Sequence, residues 1–401
     1  MSESVPEAGA GQPEGPLSGV RVLDLSRIVA APFATMALGE LGADVLKVER
    51  SGGGDDSRSW GPPFVHGESA YYLAVNRNKR SLCLDLSLST DQDVVRRLAT
   101  EWADVVVENY RAGSLDRWNL SLDSLRAANP RLVTATLTGY PPGDSRPGYD
   151  FIAQADSGVM SLIGEPDGSP HKVGYPVADM SAGLFLLSGL LAALYHRERT
   201  GHGQHLTVSI WEAQVAVQVN VNQSYLMTNT RPRRLGNAHP QVAPYEMIRV
   251  ADGFIAVAVA NERQFGHLMA AVGLAGLTGD PDFSSNASRV ANRADLVARI
   301  ESATSLLNSQ EALALLRRHD IACAQIRTID EVLTSEEAHR AGTVVPLEHP
   351  TIGEVPVVRL PWRFSRATSA PRTPPPLLGE HNGIVGEILA PERAADQMPM
   401  P

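Results

Sequence analysis

Residues 20–50, VRVLDLSRIVAAPFATMALGELGADVLKVER, decide how this chain folds. VRVLDL is a short run of β-branched residues and leucine, bounded by polar residues, and reads as a strand. PFATMALGEL has helical spacing with proline at an early position, where its missing N–H costs nothing. ADVLKVE is a second strand. The same alternation continues through RSLCLDL (80–86), a helical stretch STDQDVVRRLATEWA (89–103) and the strand DVVVEN (104–109). A shorter helix LDSLRAAN (122–129) and the strand LVTATLTGY (132–140) complete the series. Strands alternating with helices predict an α/β fold, a parallel sheet covered on both faces.

Beyond residue 150 the pattern changes. A helix is expected over 182–198, apolar at its start and charged at HRERTGHG, where glycines mark its end. Its apolar part, Ala182 to Tyr195, reads as a buried helix too short to span a bilayer. The segment 237–260, NAHPQVAPYEMIRVADGFIAVAVA, predicts two antiparallel strands joined at Ala251-Asp252-Gly253. Helical segments then run from Glu262 to about His319, interrupted by the polar loop GDPDFSSNASR. The expected organisation is a large α/β domain over 17–224, a smaller α+β domain over 225–335, and a return to the large domain over 336–391. Residues 1–16 and 392–401 are expected to be disordered tails. The acidic, Gly- and Pro-rich start has neither the apolar run of a signal peptide nor the arginines of a transit sequence.

With 401 residues the chain exceeds the size at which one core stops growing, which agrees with two domains. A formal net charge of −10 and no basic stripe exclude nucleic acid as a partner. No membrane partner is expected. The two cysteines, Cys83 and Cys323, each sit in an apolar segment without a CxxC pattern. Both read as buried core residues, consistent with a reducing, cytoplasmic setting.

The turn after the first strand, Ser26 to Pro32, lacks the GxGxxG of a dinucleotide site, which disfavours a nicotinamide enzyme. Ligands of open α/β sheets nevertheless bind beyond the carboxyl ends of strands, and Arg27 stands there. Arg50 follows the second strand, Asn78-Lys79-Arg80 precedes the third, and Asn109-Tyr110-Arg111 follows the fourth, with Arg117 nearby. Any one of these taken alone reads as a solvated surface charge. Together, at loops around one sheet edge, they point to an anionic, phosphate-bearing ligand. Asp179, in VADMSAGLFLL, precedes the apolar helix. An aspartate there serves most often as an N-cap. The helix dipole would also keep its carboxylate ionised at the rim of a dry core, as a nucleophile requires. Arg58 in GDDSRSW and His239 in NAHPQ read as structural.

Taken in order, LDLSRIVAAPFATMALGELGADVLKVER, GDDSRSWGPPF, NRNKRSLCLDL, VVVENYRAG, GYDFIAQADSG and VADMSAG resemble the class III CoA-transferase family. GNAHPQVAPYE, EHPTIGEV and PPPLLGEH extend the resemblance, which covers about residues 17 to 390. It implies a Rossmann-like large domain and an interlocked homodimer. It also implies that Asp179 is the covalent nucleophile, forming an anhydride and then an aspartyl-CoA thioester. The coenzyme A site would fall on Ile28, Val29, Ala30, Arg50, Asn76, Asn78, Lys79, Asn109, Tyr110 and Arg117. Tyr149 and Asp150 would line the active site. CoA thioester would be a substrate, with no tightly bound cofactor and no metal.

Val29 stands where formyl-CoA:oxalate members carry glutamine, and NAHPQVAPY replaces their glycine-rich loop, so an oxalate-specific enzyme is disfavoured. The later segments look closer to the succinyl-CoA:glutarate branch. A dicarboxylate would need a partner for its second charge, with Arg27 first and Arg234 and His239 as alternates. Two rival readings are a 2-methylacyl-CoA racemase and a non-catalytic acyl-CoA-binding protein. The racemase histidine is replaced by Tyr149, which removes one of its two bases. The retained Asp179 argues against the second rival.

Overall fold

The computed structural model describes residues 15–144 and 146–390. Of the expected tails, only Gly15 and Pro16 fall within the described residues. The described residues form two compact units: one within 15–159, 173–223 and 337–390, the other of 160–172 and 224–336. Residues 160–172, assigned by sequence to the large domain, thus group with the smaller unit. No periodic apolar pattern marks them, so pattern alone could not separate them.

The larger unit is built on strands β1 (Arg21–Asp24), β2 (Asp44–Arg50), β3 (Lys79–Leu84), β4 (Val105–Glu108), β5 (Val133–Thr138) and β6 (His205–Ser209). They form one sheet in the order β3-β2-β1-β4-β5-β6, with every neighbouring pair parallel. This is the doubly wound order 3-2-1-4-5-6, whose direction of winding reverses between β1 and β4. Alternation along the strands makes both faces apolar. Val22, Val45 and Val105 join the core on one face, and Leu23, Leu46 and Val106 join the core on the other.

Two helices of this unit matter for the site. Helix α1 (Ala30–Glu40) follows β1, and all its residues are buried. Helix α3 (Val177–Thr200) runs for 24 residues and ends on Gly201 at φ +78°. It is longer than the sequence reading of 182–198. By length and composition it could cross a membrane, contrary to the expectation from its apolar stretch alone. Half of its apolar window is buried, with Ala182, Leu186 and Leu190 fully covered in the core shared with α1 and the sheet. Gly183 permits the close approach: a Cβ there would lie 2.6 Å from the Ala30 carbonyl oxygen.

The chain end returns to the sheet edge. Ser81 N–H donates to His381 Nδ1 (3.2 Å), and Cys83 N–H donates to Asn382 Oδ1 (2.8 Å). Unpaired groups of the edge strand β3 are satisfied in this way. In the smaller unit, β7 (Tyr245–Val250) and β8 (Gly253–Ala258) form the expected hairpin, and β9 (Ala322–Gln325) pairs with β8. Cys83 and Cys323 are unpaired and half-buried, not core residues. Each lies on an edge strand, β3 or β9, with a paired strand on one side only.

Candidate active site

The reversal point between β1 and β4 is a crevice formed by two loops that are tied together. Asn109 Oδ1 accepts from Arg27 N–H and Asn109 Nδ2 donates to the Arg27 carbonyl, both at 2.8 Å. Beyond β1 the backbone turns sharply at Ile28, whose φ of +74° is a strained conformation for a β-branched side chain. Both oxygens of Asp55 accept from Ile28 N–H at 3.1 Å, and Lys47 Nζ holds Asp55 at 2.9 Å. Val29 and Ala30 are buried behind this turn.

A cavity of about 350 Å³ opens at the same place, lined by Arg27, Arg50, Tyr110, Arg111, Lys47 and Trp118 among others. The Arg27 guanidinium lies 5.0 Å from the Tyr110 ring centroid, and the Tyr110 ring meets Trp118 edge-on. Three of the sequence candidates, Arg27, Arg50 and Tyr110, therefore share one cavity. Arg117 is close by, donating to Ser114 Oγ of the cavity wall. Lys47, Asp55 and Trp118 were not singled out by sequence. The acidic pair of GDDSRSW, five residues after the strand-end Arg50, was the available signal.

Asn76, Asn78 and Lys79 lie differently. Lys79 Nζ is fully buried, bound to Asp24 Oδ2 (3.0 Å), the Pro32 carbonyl (2.9 Å) and Asn76 Oδ1 (3.0 Å). Asn76 is completely buried and donates to the Tyr72 carbonyl. Asn78, at φ +60°, accepts from the N–H groups of Arg372 and Thr373. Lys79 and Asn76 thus brace the start of α1 from within the core, while Asn78 ties residues 370–373 to the sheet. Burial opposes charge here, but Lys79, Lys47 and hydroxyls of Ser26 and Thr35 hold Asp24 down at about 2. Burial also drives Lys79 down to about 8 despite its contact with Asp24, so the pair is ionised at neutral pH. Arg58 anchors a second buried carboxylate, Glu49, through two 2.7 Å hydrogen bonds.

Asp179 occupies the third residue of α3 and is buried. It is not the N-cap. That task falls to Asp150, at the start of helix α2 (Asp150–Asp156), whose Oδ1 accepts from Ala178 N–H (2.9 Å) and Asp179 N–H (3.4 Å). Gln154 fixes the other Asp150 oxygen at 2.7 Å. No described residue donates a hydrogen bond to the Asp179 carboxylate. Burial, then the negative charge of Asp150, pushes Asp179 up to about 7. This corrects the expectation that the helix terminus keeps it firmly ionised: Asp150 already takes the free N–H groups. Tyr71, which sequence reasoning missed, has its hydroxyl pushed up by burial and then by Asp179 and Asp150. The Arg27–Ala30 turn joins this helix to the cavity, since Ile28, Val29 and Met180 pack in one apolar cluster.

Tyr149 is exposed just before α2. Arg234 and His239 belong to the smaller unit. Arg234 donates to the carbonyls of Glu165 (3.1 Å) and Gly168 (2.7 Å), and His239 Nδ1 accepts from Gln241 N–H (3.1 Å).

Fold and site together define a doubly wound α/β protein with an arginine-lined cavity at its winding reversal. A desolvated carboxylate sits on the adjoining helix. Residues 17–382 match CoA-transferase family III. A succinate–glutarate CoA-transferase of Agrobacterium fabrum is 40% identical over 95% of this chain and 97% of its own length. The succinyl-CoA:glutarate CoA-transferase of Mus musculus is 37% identical over 93% and 86% respectively. The crystal structure of a CAIB/BAIF family protein from Brucella suis is 39% identical and superposes with a TM-score of 0.83, covering 94% of this chain and all of that one. The chain belongs to CoA-transferase family III. It is an enzyme that transfers coenzyme A, with acyl-CoA and carboxylic acids as its substrates.

Proposed function

We propose that the enzyme moves CoA from succinyl-CoA to a short carboxylic acid through covalent intermediates on Asp179. The observation that carries this reading is the buried Asp179 carboxylate, free of hydrogen-bond donors, on a helix packed against the cavity turn. An ionised carboxylate without donors is a stronger nucleophile than a solvated one. An Asp179 oxygen attacks the thioester carbonyl, the C–S bond breaks, and CoA leaves as a thiolate, giving a mixed anhydride. The thiolate attacks the aspartyl carbonyl, the anhydride C–O bond breaks, and the donor acid departs as a carboxylate. The acceptor carboxylate then attacks the aspartyl-CoA thioester and runs both steps in reverse. Excluding water matters because hydrolysis of either intermediate would dissipate the transfer energy.

Arg27 and Arg50 line the cavity expected to receive the CoA phosphates, with Tyr110 and Trp118 offering aromatic edges to the base. Sequence position makes Arg27 a candidate partner for a second substrate carboxylate. Its place beside Arg50 favours the phosphates instead, so Arg27→Met should weaken all CoA esters alike. Dicarboxylate acceptors, with glutarate foremost, are supported by the names of the two similar transferases. The test is a screen of the purified protein with succinyl-CoA against mono- and dicarboxylic acids, reading new thioesters by mass. Glutarate-class products should dominate. Preference for a monocarboxylate such as butyrate would overturn the dicarboxylate assignment.

A homodimer, in the cytoplasm, completes the proposal. Leu184, Phe185 and Tyr195 of α3 are exposed, and the helix Val219–Thr228 has no buried residue while carrying Leu226 and Met227. Apolar surface of this extent marks an interface. Light scattering should give twice the 43.0 kDa chain mass on dilution, and a stable active monomer would exclude the dimer.

A further inference from the structure

Asp56 has no place in the scheme above, yet it holds two of the three arginines that line the cavity, Arg27 and Arg50. Its Oδ2 lies 3.3 Å from Arg27 Nη1 and its Oδ1 lies 3.0 Å from Arg50 Nη2. The two oxygens of one carboxylate thus span two guanidinium groups, as two oxygens of a phosphate would. The contacts are loose compared with their neighbours. Arg50 is 63% exposed, Arg27 36% and Asp56 35%, whereas the adjacent Lys47–Asp55 pair is entirely buried. Arg27 Nε is buried with no partner, so this guanidinium has a donor still to satisfy. Asp56 belongs to the short helical turn Asp56–Ser59, anchored by Asp55, which accepts from Ser57 N–H.

We infer that Asp56 is a built-in counter-ion that occupies the phosphate-binding arginines of the free enzyme and sets its affinity for CoA. Incoming phosphate oxygens displace the carboxylate from Arg27 and Arg50, and Asp56 takes the arginines back when CoA leaves. An exposed pair suits this exchange, because water already solvates both charges and breaking it costs little. The consequence is weaker binding of CoA than the arginines alone would give, which favours release of product. The inference rests on the reading that this cavity seats CoA phosphates.

The test is titration calorimetry of the whole protein with CoA, at roughly 0.05 M and 0.5 M salt, which differ in screening length. Asp56→Asn should bind CoA about fivefold tighter at low salt, the change expected for losing one exposed charge contact. The gain should shrink at high salt. It should also be confined to phosphate-bearing ligands, so that pantetheine, which has no phosphate, competes no better than against the wild type. Equal or weaker CoA binding by Asp56→Asn would overturn the inference, showing that the carboxylate organises the arginines for the ligand. Arg50→Met separates the two readings. If it weakens CoA binding while Asp56→Asn fails to tighten it, only the counter-ion role falls. If it leaves CoA affinity unaltered, the cavity assignment falls and the inference with it.

Discussion

Asp179→Asn is expected to lose several orders of magnitude in CoA transfer while the protein still folds and binds CoA. The amide keeps the shape of the side chain but has no nucleophilic oxygen, so neither the anhydride nor the aspartyl thioester can form. Hydroxylamine added with succinyl-CoA should mark Asp179 in the wild type and nothing at that position in the variant. Because Asp179 titrates near 7, wild-type turnover should rise with pH through neutrality and level off above it. Stability should move the other way. A carboxyl whose folded pKa lies above its unfolded value of 3.8 binds more protons folded than unfolded between those limits. Wild-type stability therefore falls as pH rises from about 4 to about 7, by up to ~4 kcal/mol for a shift of this size. Asparagine lacks this loss, so the variant should gain in relative stability from pH 5 to pH 8. Near-normal turnover by Asp179→Asn would sink the covalent mechanism. Equal pH dependence of the two melting curves would contradict the buried, raised carboxyl.

Lys79→Met is expected to lower stability by about 3–5 kcal/mol, because it strands the fully buried Asp24 carboxylate with its main counter-charge removed. The urea midpoint checks this. The double variant Asp24→Asn with Lys79→Met should recover part of the loss, since no unpaired charge remains. The lysine also ties Pro32 at the start of α1 to Asn76, so the crevice turn should loosen with it. A different result would redirect the assignment. If Lys79 bound a substrate phosphate, its loss would raise the KM for CoA esters and leave the urea midpoint in place. Its enclosure by three protein acceptors argues for the structural outcome.

What the sequence by itself determined was the α/β class, the strand-helix alternation through residue 140, the hairpin at 251–253 and the family. These rest on local periodicity and on ordered motifs, which need no knowledge of the rest of the chain. The same local signals located Arg27, Arg50 and Tyr110 at strand ends, and a parallel sheet brings such ends together at one edge. Tertiary structure decided the remainder. Whether a conspicuous lysine or asparagine faces ligand or core depends on which strand lies beside it, and the sheet order placed Lys79 over Asp24. Asp179 resembled an N-cap in sequence, but the cap comes from Asp150, 29 positions earlier, and only folding brings that carboxylate to the helix end. The same displacement leaves Asp179 without donors and raises its pKa, weakening the ionisation expected from the helix dipole. The half-burial of both cysteines followed from strand order, which no local pattern encodes. Periodicity reports which face of an element is apolar. Which partner covers that face, and which charge meets which across it, is settled by contacts far apart in the chain.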